Sequence, residues 1–230
     1  MDDILARILR TPVDDKPVSV INLSGVPSDV VDVLVSLLAR LIFDFAVWTV
    51  RSDIMPILLI CEEAHRYIPR SEEAAFEPAR SSLGRIAKEG RKYGVSLGLV
   101  TQRPSELSDT VLSQCNTIVA LRMSNEQDQN FVKRALPDSV ASLVDALPAM
   151  RTQEAVVAGQ GVSVPVRLFF DTLPSEQLPE SHDVLFSAKW KDDAYDLKFV
   201  RRVVHRWRTQ TRESAQPDGV TEPQAYALSE

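Results

Sequence analysis

Short apolar runs alternate along this chain with longer stretches whose apolar residues recur at helical spacing. The runs at 57–61 (ILLIC), 95–102 (VSLGLVTQ) and 116–123 (NTIVALRM) read as strands of a mostly parallel sheet. ILLIC has no polar position, as expected of a central strand covered on both faces. Residues 18–26 (VSVINLSGV) alternate and are rich in β-branched side chains, so they read as one more strand. Between these runs, Val30, Leu34, Leu37, Leu38, Leu41 and Phe45 keep helical spacing, and Ser28 or Asp29 stands where a helix cap is needed. Further helices are expected over 76–93 and 125–135. Strands alternating with helices give an α/β fold. EAVVAG and VPVRLFF, on either side of a Gly-Gln-Gly turn, read as a closing β-hairpin.

This divides the chain into an N-terminal segment (1–16, with a short helix ending before Pro12) and an α/β core (17–172). Beyond Leu173, proline and serine replace apolar residues, so 173–191 reads as an extended arm. Residues 192–212 read as a basic amphipathic helix with Phe199, Val203 and Trp207 at every fourth position. Residues 213–230 have the composition of a disordered tail. No internal repeat is visible.

Composition narrows the classes. At 230 residues and 44% hydrophobic content the chain supports one sizeable core with an appendage. A net charge of −6 excludes a generally basic nucleic-acid binder, so any DNA contact needs a local patch. The two cysteines, Cys61 and Cys115, sit in apolar surroundings and read as buried thiols of a cytoplasmic protein. No apolar run approaches a membrane span, and the acidic N-terminus is unlike a secretory signal.

The chemistry lies at the end of ILLIC. In an open α/β sheet, ligands bind beyond the carboxyl ends of the strands. ILLIC delivers Glu62 and Glu63 to that edge, and the next parallel strand delivers Thr101, Gln102 and Arg103. Adjacent residues leaving a strand point in different directions, so neighbouring carboxylates can divide two jobs. One supports a magnesium shell and the other activates water, as phosphoryl transfer requires. The same pair reads equally as the start of a solvated loop, and Gln102 alone as a polar strand end. His65 is either a bonded polar residue in the core or a coupling group. A zinc site is disfavoured, because no second histidine lies at helical spacing.

Three blocks together, ILLICEEAHRYIP, SLGRIAKEGRKYGVSLGLVTQRPSELS and NTIVALRMSNEQDQ, resemble the HerA branch of the HerA/FtsK hexameric DNA-pumping ATPases. The likeness covers about residues 18–170 and, weakly, FSAKW in the arm. It implies a partial RecA-like P-loop NTPase core, ATP and Mg²⁺ as cofactors of the complete protein, and a hexameric ring around double-stranded DNA. Such enzymes are associated with DNA-end resection or anti-phage complexes that include a nuclease or other effector partner. By the same resemblance Glu62 supports Mg²⁺ through water, Glu63 is the catalytic base, and Gln102 is the sensor. Arg85 or Arg91 is the arginine supplied to a neighbour's nucleotide, with Arg85 preferred.

The chain departs from that family in one large respect. None of its eight glycines begins a G-x-x-x-x-G-K-[ST] phosphate loop. The expectation is therefore the Walker B and sensor half of an ATP-driven double-stranded DNA translocase or helicase, inactive by itself. The alternative is a non-catalytic scaffold that kept the fold. An RNA helicase of the DEAH kind is disfavoured, since its accompanying blocks are missing. For DNA contact, residues 103–115 offer one basic residue against two acidic ones, with Ser105, Ser108 and Thr110 as polar candidates. The basic C-terminal helix fits subunit packing better, because Phe199, Val203 and Trp207 need an apolar partner.

Overall fold

The structure, a computed structural model, describes residues 2–11, 15–71, 76–136, 140–177, 186–190 and 196–209. The chain divides into two compact units, Met1–Thr172 and Leu173–Glu230.

The first unit is mixed α/β. Helix α1 spans Asp2–Leu9. Helix α2, Ser28–Trp48, buries Val31, Val35, Ala39, Ile42, Phe43 and Ala46 along one side. Strand β1, Ile57–Cys61, pairs in parallel with β2, Val95–Leu99, from Ile57↔Val95 to Cys61↔Leu99. Helix α3, Glu77–Glu89, connects them and continues as a 3₁₀ turn, Gly90–Tyr93. Helices α2 and α3 cover one face of the pair, and Leu83, Ile86, Val95 and Cys61 complete that core. The mixed α/β order with its parallel pair agrees with the expected partial RecA-like core.

A second sheet follows. Short helix α4, Asp109–Leu112, leads to β3, Thr117–Leu121. Helix α5, Glu126–Ala135, starts at Asn125, whose side chain accepts the backbone N–H of Gln127 and caps it. Helix α6, Ala141–Asp145, precedes the hairpin strands β4, Glu154–Gly159, and β5, Val166–Phe169. The order is β3-β4-β5, antiparallel throughout. At the β4 end Gly159 takes a positive φ of 118°, and a Cβ there would collide with the Asn116 carbonyl. The second unit contributes helices α7, Phe186–Lys189, and α8, Leu197–Thr209.

Four expectations change. Residues 18–26 form no strand, and Val18 and Val20 are 72% and 85% exposed. A β-branched alternation only prepares a strand, and a ladder partner has to satisfy its backbone. The segment 116–123 gives β3, but it pairs antiparallel with β4 rather than extending the parallel pair. Neither Ser28 nor Asp29 caps α2; Pro27 holds the cap position, and the Ser28 hydroxyl donates to Asp29 instead. Strand β1 is covered on one face only: Leu58 and Ile60 remain 61% and 58% exposed.

The whole of the expected tail, 213–230, and parts of the arm and the basic-helix segment lie outside the described residues.

Candidate functional site

Parallel pairing puts the carboxyl ends of β1 and β2 side by side, and the polar residues that follow them meet there. The ladder runs one step past both strands: Val100 N–H donates to Cys61 O, and Ala64 N–H donates to Val100 O, both at 2.9 Å. Between those bonds the chain reverses at Glu63, which is left-handed (φ 49°, ψ 44°). A non-glycine residue there carries strain of about 1 kcal/mol. The reversal turns Glu63 back towards β2 and starts a 3₁₀ turn, Ala64–Arg66. Glu62 stays exposed.

The Glu63 carboxylate has two partners. Gln102 Nε2 donates to its Oε1 at 3.2 Å. His65 Nδ1 lies 3.4 Å from its Oε2 and 3.1 Å from Thr101 Oγ1. Thr101 Oγ1 also accepts the Arg103 backbone N–H at 3.0 Å. Gln102, distant in sequence from the adjacent Glu62 and Glu63, thus stands with them at one edge. Sequence reasoning had placed Thr101 at this edge but not against His65. Those two residues are 36 positions apart, and no local signal links them.

Behind the carboxylates the site is fixed by backbone. Pro69 bridges Leu107, Arg70 N–H donates to Glu106 O, and Ser108 N–H donates to Ile68 O. The loops that carry Glu63 and Gln102 are therefore joined along their length. Ser105 N–H donates to the buried Asp128 of α5, and Arg70 pairs with Asp109 at 3.1 Å. Ser108 is 3% exposed, which removes it from the candidate DNA contacts. Cys61 lies one residue before the acidic pair, and burial pushes its thiol up to about 11. It remains a neutral SH at ordinary pH. Both cysteines are free thiols.

The two arginines are elsewhere. Arg91 sits on the 3₁₀ turn leading into β2, at the end of the strand opposite Gln102. The Arg85 guanidinium lies 4.4 Å over the Phe43 ring, which in turn meets Tyr93 edge-on at 5.6 Å. Neither belongs to the Glu63 cluster of its own chain.

Among the described residues no three His, Cys, Asp or Glu side chains form a metal cage. Two carboxylates at an open edge nevertheless suit Mg²⁺, which keeps most of its waters and takes one or two carboxylates alongside substrate phosphates. No described helix is long and apolar enough to cross a membrane.

No protein-family model matches the chain. It is 45% identical over 116 residues to the DNA double-strand break repair helicase HerA of Pyrococcus furiosus, covering 50% of this chain and 20% of the relative. Against the probable HerA of Methanocaldococcus jannaschii it is 46% identical over 110 residues, 48% of this chain and 21% of the relative. The HerA of Sulfolobus acidocaldarius is 29% identical over 194 residues, 83% of this chain and 38% of the relative. The chain therefore spans only about a fifth of the first two relatives. Among solved structures, the genome packaging NTPase B204 of Sulfolobus turreted icosahedral virus 2 with AMPPCP aligns with a TM-score of 0.48. That alignment has 15% identity and covers 62% of this chain and 63% of that one. The sequence matches bear out the HerA-branch resemblance.

Proposed function

We propose that this chain is the hydrolytic half of a HerA-like, DNA-translocating ATPase, and that it turns over ATP only when another segment supplies a phosphate-binding loop. The carrying observation is the contact between Glu63 and Gln102 across the ends of a parallel strand pair. Glu63 is the base that takes a proton from the attacking water. Gln102 holds that carboxylate and, at the same edge, orients the water or senses the γ-phosphate. Glu62 faces solvent beside them and would support Mg²⁺ through water. The ion, when bound, screens charge on the transferring phosphoryl group.

Arg85 and Arg91 are candidates to neutralise phosphate charge in trans. Arg91 lies at the end of β2 opposite Gln102 and Arg85 on α3 outside the Glu63 cluster, which supports a role at a neighbour's nucleotide, within a ring that encloses double-stranded DNA. The pinning of Arg85 over Phe43 favours Arg91. A nuclease or other effector is a natural partner for such a motor.

Uncovered apolar surface supports action within a larger assembly. Leu58, Ile60 and Val100 are 50% or more exposed on the outer face of the parallel pair. Val119 and Leu121 of β3 are 51% and 53% exposed. The missing G-x-x-x-x-G-K-[ST] favours a second reading, a scaffold with the fold but no turnover.

Nucleotide hydrolysis by the assembly that includes a phosphate loop separates the two. Glu63→Gln should stop hydrolysis while nucleotide binding persists. Wild-type turnover in that variant removes Glu63 as the base and with it this chain's hydrolytic role.

A further inference from the structure

Glu63 combines two features that need an explanation. Its backbone is strained into the left-handed region, and its side chain is 43% exposed at the sheet edge. A glutamate with three rotatable side-chain bonds in such a place scatters over many directions unless something holds it. Gln102 holds one oxygen, but it is itself an exposed, flexible side chain. One contact between two mobile groups does not define a direction.

The second oxygen meets a stiffer group. The His65 side chain is only 15% exposed, and it follows Glu63 by two residues on the 3₁₀ turn. Its Nδ1 stands between Glu63 Oε2 at 3.4 Å and Thr101 Oγ1 at 3.1 Å. A carboxylate only accepts hydrogen bonds, so a hydrogen bond from His65 to Glu63 requires the tautomer with its proton on Nδ1. In that tautomer Thr101 Oγ1 accepts from both Nδ1–H and the Arg103 N–H, which fixes the hydroxyl from two sides. Thr101 is itself rigid: a β-branched residue between Val100, the last residue of the ladder, and the loop tied to residues 68–70.

We propose that His65 is a positioning residue for Glu63. Its Nδ1–H is shared between Thr101 Oγ1 and Glu63 Oε2, which locks the carboxylate to the tip of β2. Gln102 and His65 then hold one oxygen each, and the carboxylate plane is set by two groups instead of one. The consequence for catalysis rests on the ATPase reading above. A base must stand within hydrogen-bond reach of the water it activates, in one orientation. The geometry within this chain does not depend on that reading.

The decisive comparison is between His65→Asn, His65→Gln and His65→Ala. An asparagine amide reaches the place of Nδ1, whereas a glutamine amide reaches nearer to Nε2. In the full 230-residue chain, the Gln102 side-chain amide protons report by NMR whether Glu63 Oε1 stays in place. His65→Asn should keep their shift and slowed exchange. His65→Gln and His65→Ala should move them to free-amide values while core methyl signals from Leu83 and Ile86 stay dispersed. Should His65→Ala unfold the chain, the Asn and Gln variants still decide. Equal behaviour of those two, or a wild-type Gln102 signal in His65→Ala, overturns the proposal.

In the ATP-hydrolysing assembly, His65→Ala should lower kcat by about 10- to 100-fold, the scale of outer partners of a site residue. KM should change little, and His65→Asn should recover most of the loss. If Glu63→Gln abolishes turnover while His65→Ala is silent, positioning is refuted. If Glu63→Gln is itself silent, the proposed role of Glu63 as base is what fails, and the NMR comparison still judges the clamp.

Discussion

Gln102 Nε2 donates to Glu63 Oε1 at 3.2 Å although 39 residues separate the two in sequence. Parallel pairing of β1 with β2 brings them together, and the left-handed turn at Glu63 aims the carboxylate at its partner. In a complete ATPase assembly, Glu63→Gln should lower turnover by about 10²-fold or more, the contribution of a general base. Gln102→Ala should cost less. Because the residues touch, the double variant should lose less than the sum of the two single losses on a free-energy scale. A steady-state ATPase double-mutant cycle measures this, and strict additivity would separate their roles.

Arg85 and Arg91 should part company. The Arg85 guanidinium covers the Phe43 ring, so Arg85→Ala should lower stability by about 0.5–1 kcal/mol in denaturant unfolding. Arg91→Ala should leave unfolding unchanged. In the assembled ring, Arg91→Ala should reduce turnover about 10³-fold or more, the scale of a trans arginine. Mixing it with Glu63→Gln subunits should restore part of the activity, since each site takes its base from one chain and its arginine from the next. The reverse ranking of the two arginines reassigns the role to Arg85.

Cys61 should be silent to thiol reagents in the folded chain. Burial raises its thiol from an ordinary 9.0 to about 11. At pH 8, alkylation followed by mass spectrometry should label it only after denaturant is added. The sign for stability follows from a folded-state value above the unfolded one. The stabilisation is complete below about pH 9 and declines as pH rises towards 11. Cys61→Ala should remove that component of the alkaline loss.

Helix α8 carries Trp207 at 78% and Leu197 at 64% exposure, and no described residue of the helix is buried. Trp207→Ala should therefore leave the melting temperature of the isolated chain nearly unchanged. In an assembly that oligomerises, sedimentation should instead show a shift to smaller species. Arg201→Ala with Arg206→Ala should leave the salt dependence of DNA binding unaltered. A log–log slope flattened by about two counterions would make the helix a DNA contact.

The sequence by itself determined the features that rest on neighbouring residues. ILLIC and VSLGL are strands because short, mainly apolar runs suit a parallel sheet, and the acidic pair had to emerge at the carboxyl end of ILLIC. The helix expected over 125–135 formed, with Asn125 as its cap, because a short polar side chain before a helix satisfies a free N–H. The hairpin followed from its Gly-Gln-Gly turn, whose Gly159 has no room for a side chain. Tertiary structure alone decided which partners those elements found. Residues 18–26 had the composition of a strand and no ladder to join, while β3 joined β4 in a separate antiparallel sheet. The left-handed turn at Glu63, the reach of His65 to Thr101 and the stacking of Arg85 on Phe43 join residues far apart in the chain. Periodicity records which face of an element wants burial. It carries no record of what lies opposite, and hydrogen bonds and ring contacts form only once the packed chain has placed both partners.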